Sequence, residues 1–173
     1  MKATHYFVEG ECEKKFIDEY KAGNNAAFYP GKVEVFNFIN KRITLARLGS
    51  ISKNTQIILV YDTDVLDDAM MLENIRFLKS KGFKNILHIQ SIKKFEDELV
   101  YSTSLKNINE MFNTDSTNEF KNKFIKANNL KGKLLKLNFN AAKIWSRKND
   151  AEPFEKYYSK NAQEYLHNNR WNI

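Results

Sequence analysis

The sequence predicts an α/β protein with a mostly parallel four-stranded sheet, followed by a helical C-terminal region. Three observations point there. Short apolar runs alternate with amphipathic stretches through residues 1–92. The clearest run, Gln56-Ile-Ile-Leu-Val-Tyr61, is continuous and rich in β-branched residues, as a strand buried on both faces should be. From Lys93 onward the apolar residues take helical spacing instead. With 173 residues, 42% of them hydrophobic, the chain can build one real core but has little room for two full domains.

The elements follow in order. His5-Tyr6-Phe7-Val8 is a short strand that stops at Glu9-Gly10. A helix is expected from Glu11 to about Ala22, with Phe16, Ile17 and Tyr20 on its apolar side. Asn24-Asn25 and Pro30-Gly31 mark turns. Val33, Val35 and Phe36 to Ile39 form the second strand candidate, and Ile43, Ala46 and Leu48 a short helix ending near Gly49. The strand at Gln56–Tyr61 ends in Asp62-Thr63-Asp64. A helix from Asp67 to Lys81 carries acids at its start and lysines at its end, with Gly82 as its cap. Asn85 to Ile89 is the fourth strand. Helices between successive strands imply crossover connections and a parallel sheet, whose ligands sit at the carboxyl ends of the strands. The natural division falls near residue 92: an α/β core over 1–92 and a basic helical extension over 93–173, with Phe112, Phe120, Phe124, Leu134, Leu135, Leu137, Trp145 and Phe154-Tyr157-Tyr158 as its apolar residues.

Composition excludes several classes. Cys12 is the single cysteine, so there is no internal disulfide framework and no Cys-rich zinc site, and a reducing, cytoplasmic setting is expected. No apolar run approaches the ~20 residues of a membrane span. The start, MKATHYFVEGE, meets acidic residues too early for a secretory signal. The net charge of +7 is unevenly placed. Residues 1–100 hold 15 Lys/Arg against 14 Asp/Glu, and residues 101–173 hold 13 against 7. Lys121, Lys123, Lys126, Lys131, Lys133, Lys136, Lys143, Arg147 and Lys148 form a stretch without an acid. Such a stretch suits a polyanion, and it also suits a solvated Lys-rich face.

Acids follow three of the strands. Glu9, Glu11 and Glu13 come after the first, Asp62 and Asp64 after the third, and Glu96, Asp97 and Glu98 shortly after the fourth. A parallel sheet brings these ends to one edge. Carboxylates gathered there repel one another unless a cation neutralises them, and Mg2+ prefers such oxygen ligands. Each group alone also has an ordinary structural reading, as a first-turn acid or a cap.

Two motifs carry a resemblance. Phe7-Val8-Glu9-Gly10-Glu11-Cys12-Glu13 and Ile58-Leu59-Val60-Tyr61-Asp62-Thr63-Asp64 together resemble a TOPRIM domain, which pairs a strand-end Glu-Gly with a strand-end D-x-D on a Rossmann-like sheet. The VEG-x-x-E form is most similar to the overcoming-lysogenization-defect (OLD) and RloB-like nucleases, and Phe95-Glu96 is similar to an acidic position those relatives carry. The resemblance covers residues 5–100. It implies a nuclease that hydrolyses phosphodiesters in RNA or DNA with Mg2+ or Mn2+, as one ion or two. Glu9 would be the general acid/base or a metal ligand; Glu13, Asp62, Asp64 and Glu96 would hold metal. Lys143 is similar to a late lysine used near the scissile phosphate. The basic stretch, from Lys121 to Lys148, would draw in nucleic acid.

The chain has no ATPase domain of the kind the OLD proteins carry, so a separate ATPase or regulatory protein is the expected partner, and a dimer is compatible with this picture. A bacterial or phage-defence effector, in effect a toxin, is the expected role, with no membrane partner. An RNA-processing maturase, a non-catalytic module that binds nucleic acid or a partner, and a flavodoxin-like or response-regulator fold are the competing readings. Trp145 and Trp171 could stack bases, although a core or interface role is the commoner use. His5, His88 and His167 show no metal-site spacing, and nothing pairs Cys12 for nucleophilic chemistry.

Overall fold

The computed structural model describes residues 3–21, 28–150 and 152–157. Four strands, β1 (Thr4–Val8), β2 (Gly31–Val35), β3 (Gln56–Asp62) and β4 (Ile86–Ser91), form one sheet in the order β2-β1-β3-β4. Every pairing among the described residues is parallel, so the expected α/β sheet of four strands is present. The register sets Val8 opposite Val35 and Val60, and Asp62 opposite Ser91.

Alternation along the central strands sorts the core into two layers. Tyr6, Val8, Ile58 and Val60 face one side, against α1 (Glu11–Tyr20). Phe7, Ile57, Leu59 and Tyr61 face the other, against the single turn α2 (Leu45–Leu48) and α3 (Ala69–Ser80). Both faces are covered, which is why these strands read as unbroken apolar runs. Gly82 follows α3 with φ +88°, the left-handed value that favours glycine, and so closes that helix as expected.

The second strand is shorter than expected. Pairing ends at Val35, with the Phe36 N–H still donating to the Val8 carbonyl at 2.8 Å; Phe38 and Ile39 leave the sheet, and all three side chains pack in the second layer. Their apolar character serves that packing. The residues after 92 are helical in part. They form α4 (Phe95–Ser102), α5 (Thr117–Lys126) and α6 (Leu130–Lys136), with 3-10 turns at Ile108–Met111 and Glu155–Tyr157. Positive φ at Asn113, Asn129, Asn138 and Trp145 interrupts the helices; asparagine tolerates that region better than most residues.

This region shares the core of the sheet. Phe95, Leu99, Phe120, Phe124, Leu134 and Trp145 join Phe16, Val8 and Val60 in one apolar cluster. Trp145 is fully buried, with Phe16, Phe28 and Phe95 rings 5.6–6.0 Å from it, so it is not exposed to stack a base. Phe154 crosses to the opposite layer, where Gln90 donates to its carbonyl at 2.9 Å. His5 lies 3.3 Å from Glu34, and His88 Nδ1 lies 3.2 Å from the Tyr61 hydroxyl. Asn24, Asn25, Tyr158, His167 and Trp171 lie outside the described residues. Among the described residues, no helix is long and apolar enough to cross a membrane.

Candidate functional site

The helices after β1 and β3 leave on opposite faces of the sheet. The topology therefore switches between these strands, and their carboxyl ends are the usual ligand position in an open parallel sheet. Glu9 follows β1 there. Its N–H donates to the Val60 carbonyl at 3.1 Å, tying the ends of β1 and β3 together. One carboxylate oxygen accepts the Asp62 N–H at 3.0 Å, and the other accepts from Asn37 Nδ2 at 3.0 Å. Burial raises the Glu9 pKa; the two hydrogen bonds work against that rise, and nearby Asp64 adds to it.

Asp62 closes β3. Its Oδ1 is buried and has no hydrogen-bond partner, while the Ser91 hydroxyl supports the carboxylate. Burial, with Glu13 and Glu9 adding repulsion, pushes its pKa up to about 9. Glu13 sits in the first turn of α1 and is buried. Gly10 leaves it space: a β-carbon at that position would meet Glu13 Oε2 at 3.0 Å. Burial is the main reason the Glu13 pKa rises to about 7, and Glu96 and Glu9 contribute.

Glu96, in the first turn of α4, is buried and pairs with Lys121 Nζ at 3.2 Å. Lys121 enters from α5. Burial opposes its charge, but Glu96, Cys12 and Glu13 hold its pKa above the ordinary value. Asp64 pairs with Lys94 at 3.5 Å. Cys12 is buried beside Glu13, and burial pushes its thiol up to about 12, so it carries no thiolate at neutral pH.

The fold thus gathers Glu9, Glu13, Asp62 and Glu96 within electrostatic reach of one another, with Asp64 beside Glu9. An all-oxygen donor set with a buried, unpartnered Asp62 oxygen suits a hard divalent cation such as Mg2+ or Mn2+. As the side chains lie, among the described residues no three His, Cys, Asp or Glu groups stand close enough to hold a metal ion. The partners explain why. Glu9 is turned to Asn37 and the Asp62 amide, Glu96 to Lys121, and Asp64 to Lys94.

The other acids after β4 do different work. Asp97 accepts the Lys94 N–H at 3.3 Å, within the capping box of α4. Glu98 is fully buried and pairs with Arg147 at 2.6 Å.

The basic residues spread widely. Lys123 pairs with Glu119 at 2.8 Å, and Lys148 with Asp150 at 2.7 Å. Lys131 lies over Tyr20 and Lys133 over Phe112. Lys126 and Lys136 are exposed. Arg147 is turned inward to Glu98, and Lys143 lies 5.7 Å from the Tyr101 ring centre, with no contact to the carboxylates. The lysine that does reach them is Lys121. Sequence reasoning placed it only on the basic surface, because nothing in its spacing shows that α5 leans on α1 and α4. Asn37 was missed for a similar reason: it sits in the loop after β2 with no motif around it.

No protein-family model matches the chain, and no curated protein or solved structure is significantly similar to it.

Proposed function

We propose that this chain is a TOPRIM-like, metal-dependent nuclease that hydrolyses phosphodiester bonds in RNA or DNA. The observation that carries the reading is a gathering of buried carboxyl groups, short of partners, at one sheet edge. Glu9, Glu13, Asp62 and Glu96 converge there from the end of β1, α1, β3 and α4, and among the described residues one ammonium, Lys121, reaches them. Burying carboxylates without matching partners is costly, and such cost is commonly retained where it serves chemistry.

Glu13, Asp62, Asp64 and Glu96 are the residues that would hold Mg2+ or Mn2+, with Glu9 beside them. A bound ion would activate a water and stabilise the leaving oxygen. Glu9, held from two sides by Asn37 and the Asp62 amide, would accept a proton from that water. Lys121 would offer its charge to the phosphate when released from Glu96. The basic residues of α5 and α6 would offset the repulsion between the acidic edge and a nucleic-acid backbone. A cytoplasmic defence effector restrained by a separate ATPase or regulatory protein is the biological setting this reading favours, by analogy with the family that the VEG-x-x-E and D-x-D motifs resemble.

A non-catalytic binding module is the second reading, favoured by the present engagement of Glu9, Glu96 and Asp64 with protein donors. One experiment separates the two. Purified protein is offered transfer RNA, ribosomal RNA and supercoiled plasmid with Mg2+, with Mn2+ and with EDTA, beside Glu9→Gln and Asp62→Asn. Metal-dependent cleavage, reduced at least ~100-fold in both variants, is the expected result. Cleavage that survives EDTA or either variant would sink the nuclease reading.

A further inference from the structure

An open cleft of about 590 Å3 lies outside the carboxylate cluster, between the 3-10 turn at Ile108–Met111, α5 and α6. Phe112, Asn122, Lys123, Lys126, Asn128 and Lys133 line it. Its one acid, Glu119, is held by Lys123 at 2.8 Å. The half-buried Phe112 ring is backed by Phe120 and Phe124 at 5.8 and 6.5 Å, so its position is fixed by core packing. Lys133 Nζ lies 5.8 Å from the centre of that ring. Among the described residues, Lys126, Asn122 and Asn128 are exposed and make no ion pair or side-chain hydrogen bond.

We infer that this cleft is a subsite for a single-stranded nucleic-acid segment, with a base on Phe112 and its flanking phosphates at Lys126 and Lys133. The inference rests on the reading that the chain acts on nucleic acid, and it names the form: unpaired rather than duplex. Three features argue for it together. Ammonium groups pair with phosphates and release counterions. A rigid aromatic face stacks a base only if that base is unstacked from its neighbours. Free carboxamides can bond base edges, which a duplex hides.

The test is fluorescence anisotropy in EDTA, where cleavage does not enter. Labelled RNA and DNA single strands of about 12 nucleotides, the matching duplexes and heparin are titrated with the full chain. Phe112→Leu keeps apolar bulk and removes the ring face. It should weaken single-strand binding about tenfold while leaving heparin binding unchanged and the chain folded at the assay temperature. Phe112→Trp should restore affinity and show quenching of its added fluorescence. Lys126→Gln and Lys133→Gln should each lower the salt dependence of single-strand binding by about 0.7 in log–log slope. Phe112→Leu binding single strands as well as the native chain, duplex or heparin bound as tightly as single strands, or no oligonucleotide binding at all would each overturn the inference. The catalytic reading is judged apart from it. Single-strand binding through Phe112 without metal-dependent cleavage removes the nuclease and keeps the subsite. Cleavage indifferent to Phe112 does the reverse.

Discussion

Glu96 and Glu98 stand two residues apart on α4, both buried, in opposite circumstances. Glu98 is fully provided for. It accepts the Ile92 N–H at 2.9 Å, the Trp145 N–H at 2.9 Å and Arg147 Nη2 at 2.6 Å. It thereby ties β4, α4 and the 140–149 segment together. Glu96 joins Glu9, Glu13 and Asp62, where among the described residues Lys121 is the cation within reach and an Asp62 oxygen has no partner. A satisfied buried carboxylate organises a fold. A group of under-satisfied ones is a standing cost, and it points to a cation or a substrate.

Substitution at the two places should therefore have opposite signs. Glu98→Ala leaves three donors without an acceptor and should cost about 3–5 kcal/mol, read as the fall in the urea midpoint. A loss under about 1 kcal/mol would mean that water replaces the carboxylate, and the contrast would fail. Asp62→Asn in EDTA at neutral pH should instead stabilise the chain by about 1–2 kcal/mol, since it removes the cost of holding a proton on a carboxyl group that ionises freely in the unfolded chain. Glu13→Gln should act in the same direction. Destabilisation by both would show that the cluster is as well satisfied as Glu98.

The pH dependence sharpens the same comparison. Glu13 and Asp62 have pKa values in the folded chain above their ordinary ones. The native state therefore binds these protons more tightly than the unfolded state. Their stabilising contribution is full below the ordinary carboxylate range and is lost as pH rises through about 7 for Glu13 and about 9 for Asp62. In EDTA, the urea midpoint should decline across that window, and less so in Glu13→Gln and Asp62→Asn. An equal decline in the variants would assign the slope to other groups. The smallest effect is expected at Lys121. Lys121→Gln breaks a half-exposed pair and should cost under about 1 kcal/mol at pH 6. It should also steepen the decline, because the one cation in reach is gone.

Much of the architecture was legible. The strand at 56–62 is a continuous apolar run ending in a polar residue, as burial on both faces requires, and those at 4–8 and 86–91 are shorter runs that include His5 and His88. The end of β2 was not legible, since Phe36, Phe38 and Ile39 are as apolar off the sheet as on it. Of the site, Glu9, Glu13, Asp62 and Glu96 could be grouped because a parallel sheet delivers its strand ends to one edge. Glu98 could not be separated from Glu96 by composition, since the side of α4 that meets Arg147 and Trp145 is set by packing. Lys143 illustrates the limit from the other side: it sits over Tyr101, and Lys121 is the lysine near the acids.

By itself the sequence determined the α/β class, the alternation of elements, the acids at the strand ends and the basic second half. These are local properties, written in the period of apolar residues and the places where it stops. Only the tertiary structure decided which carboxylates are satisfied and which are left short, and which lysine enters the acidic edge. It also decided that Trp145 is core while Phe112 lines an open cleft. Those outcomes depend on partners 20 or more residues distant, such as Asn37 for Glu9, Arg147 for Glu98 and Lys121 for Glu96. A side chain's partner is chosen by the packing of whole elements, and no short-range pattern encodes it.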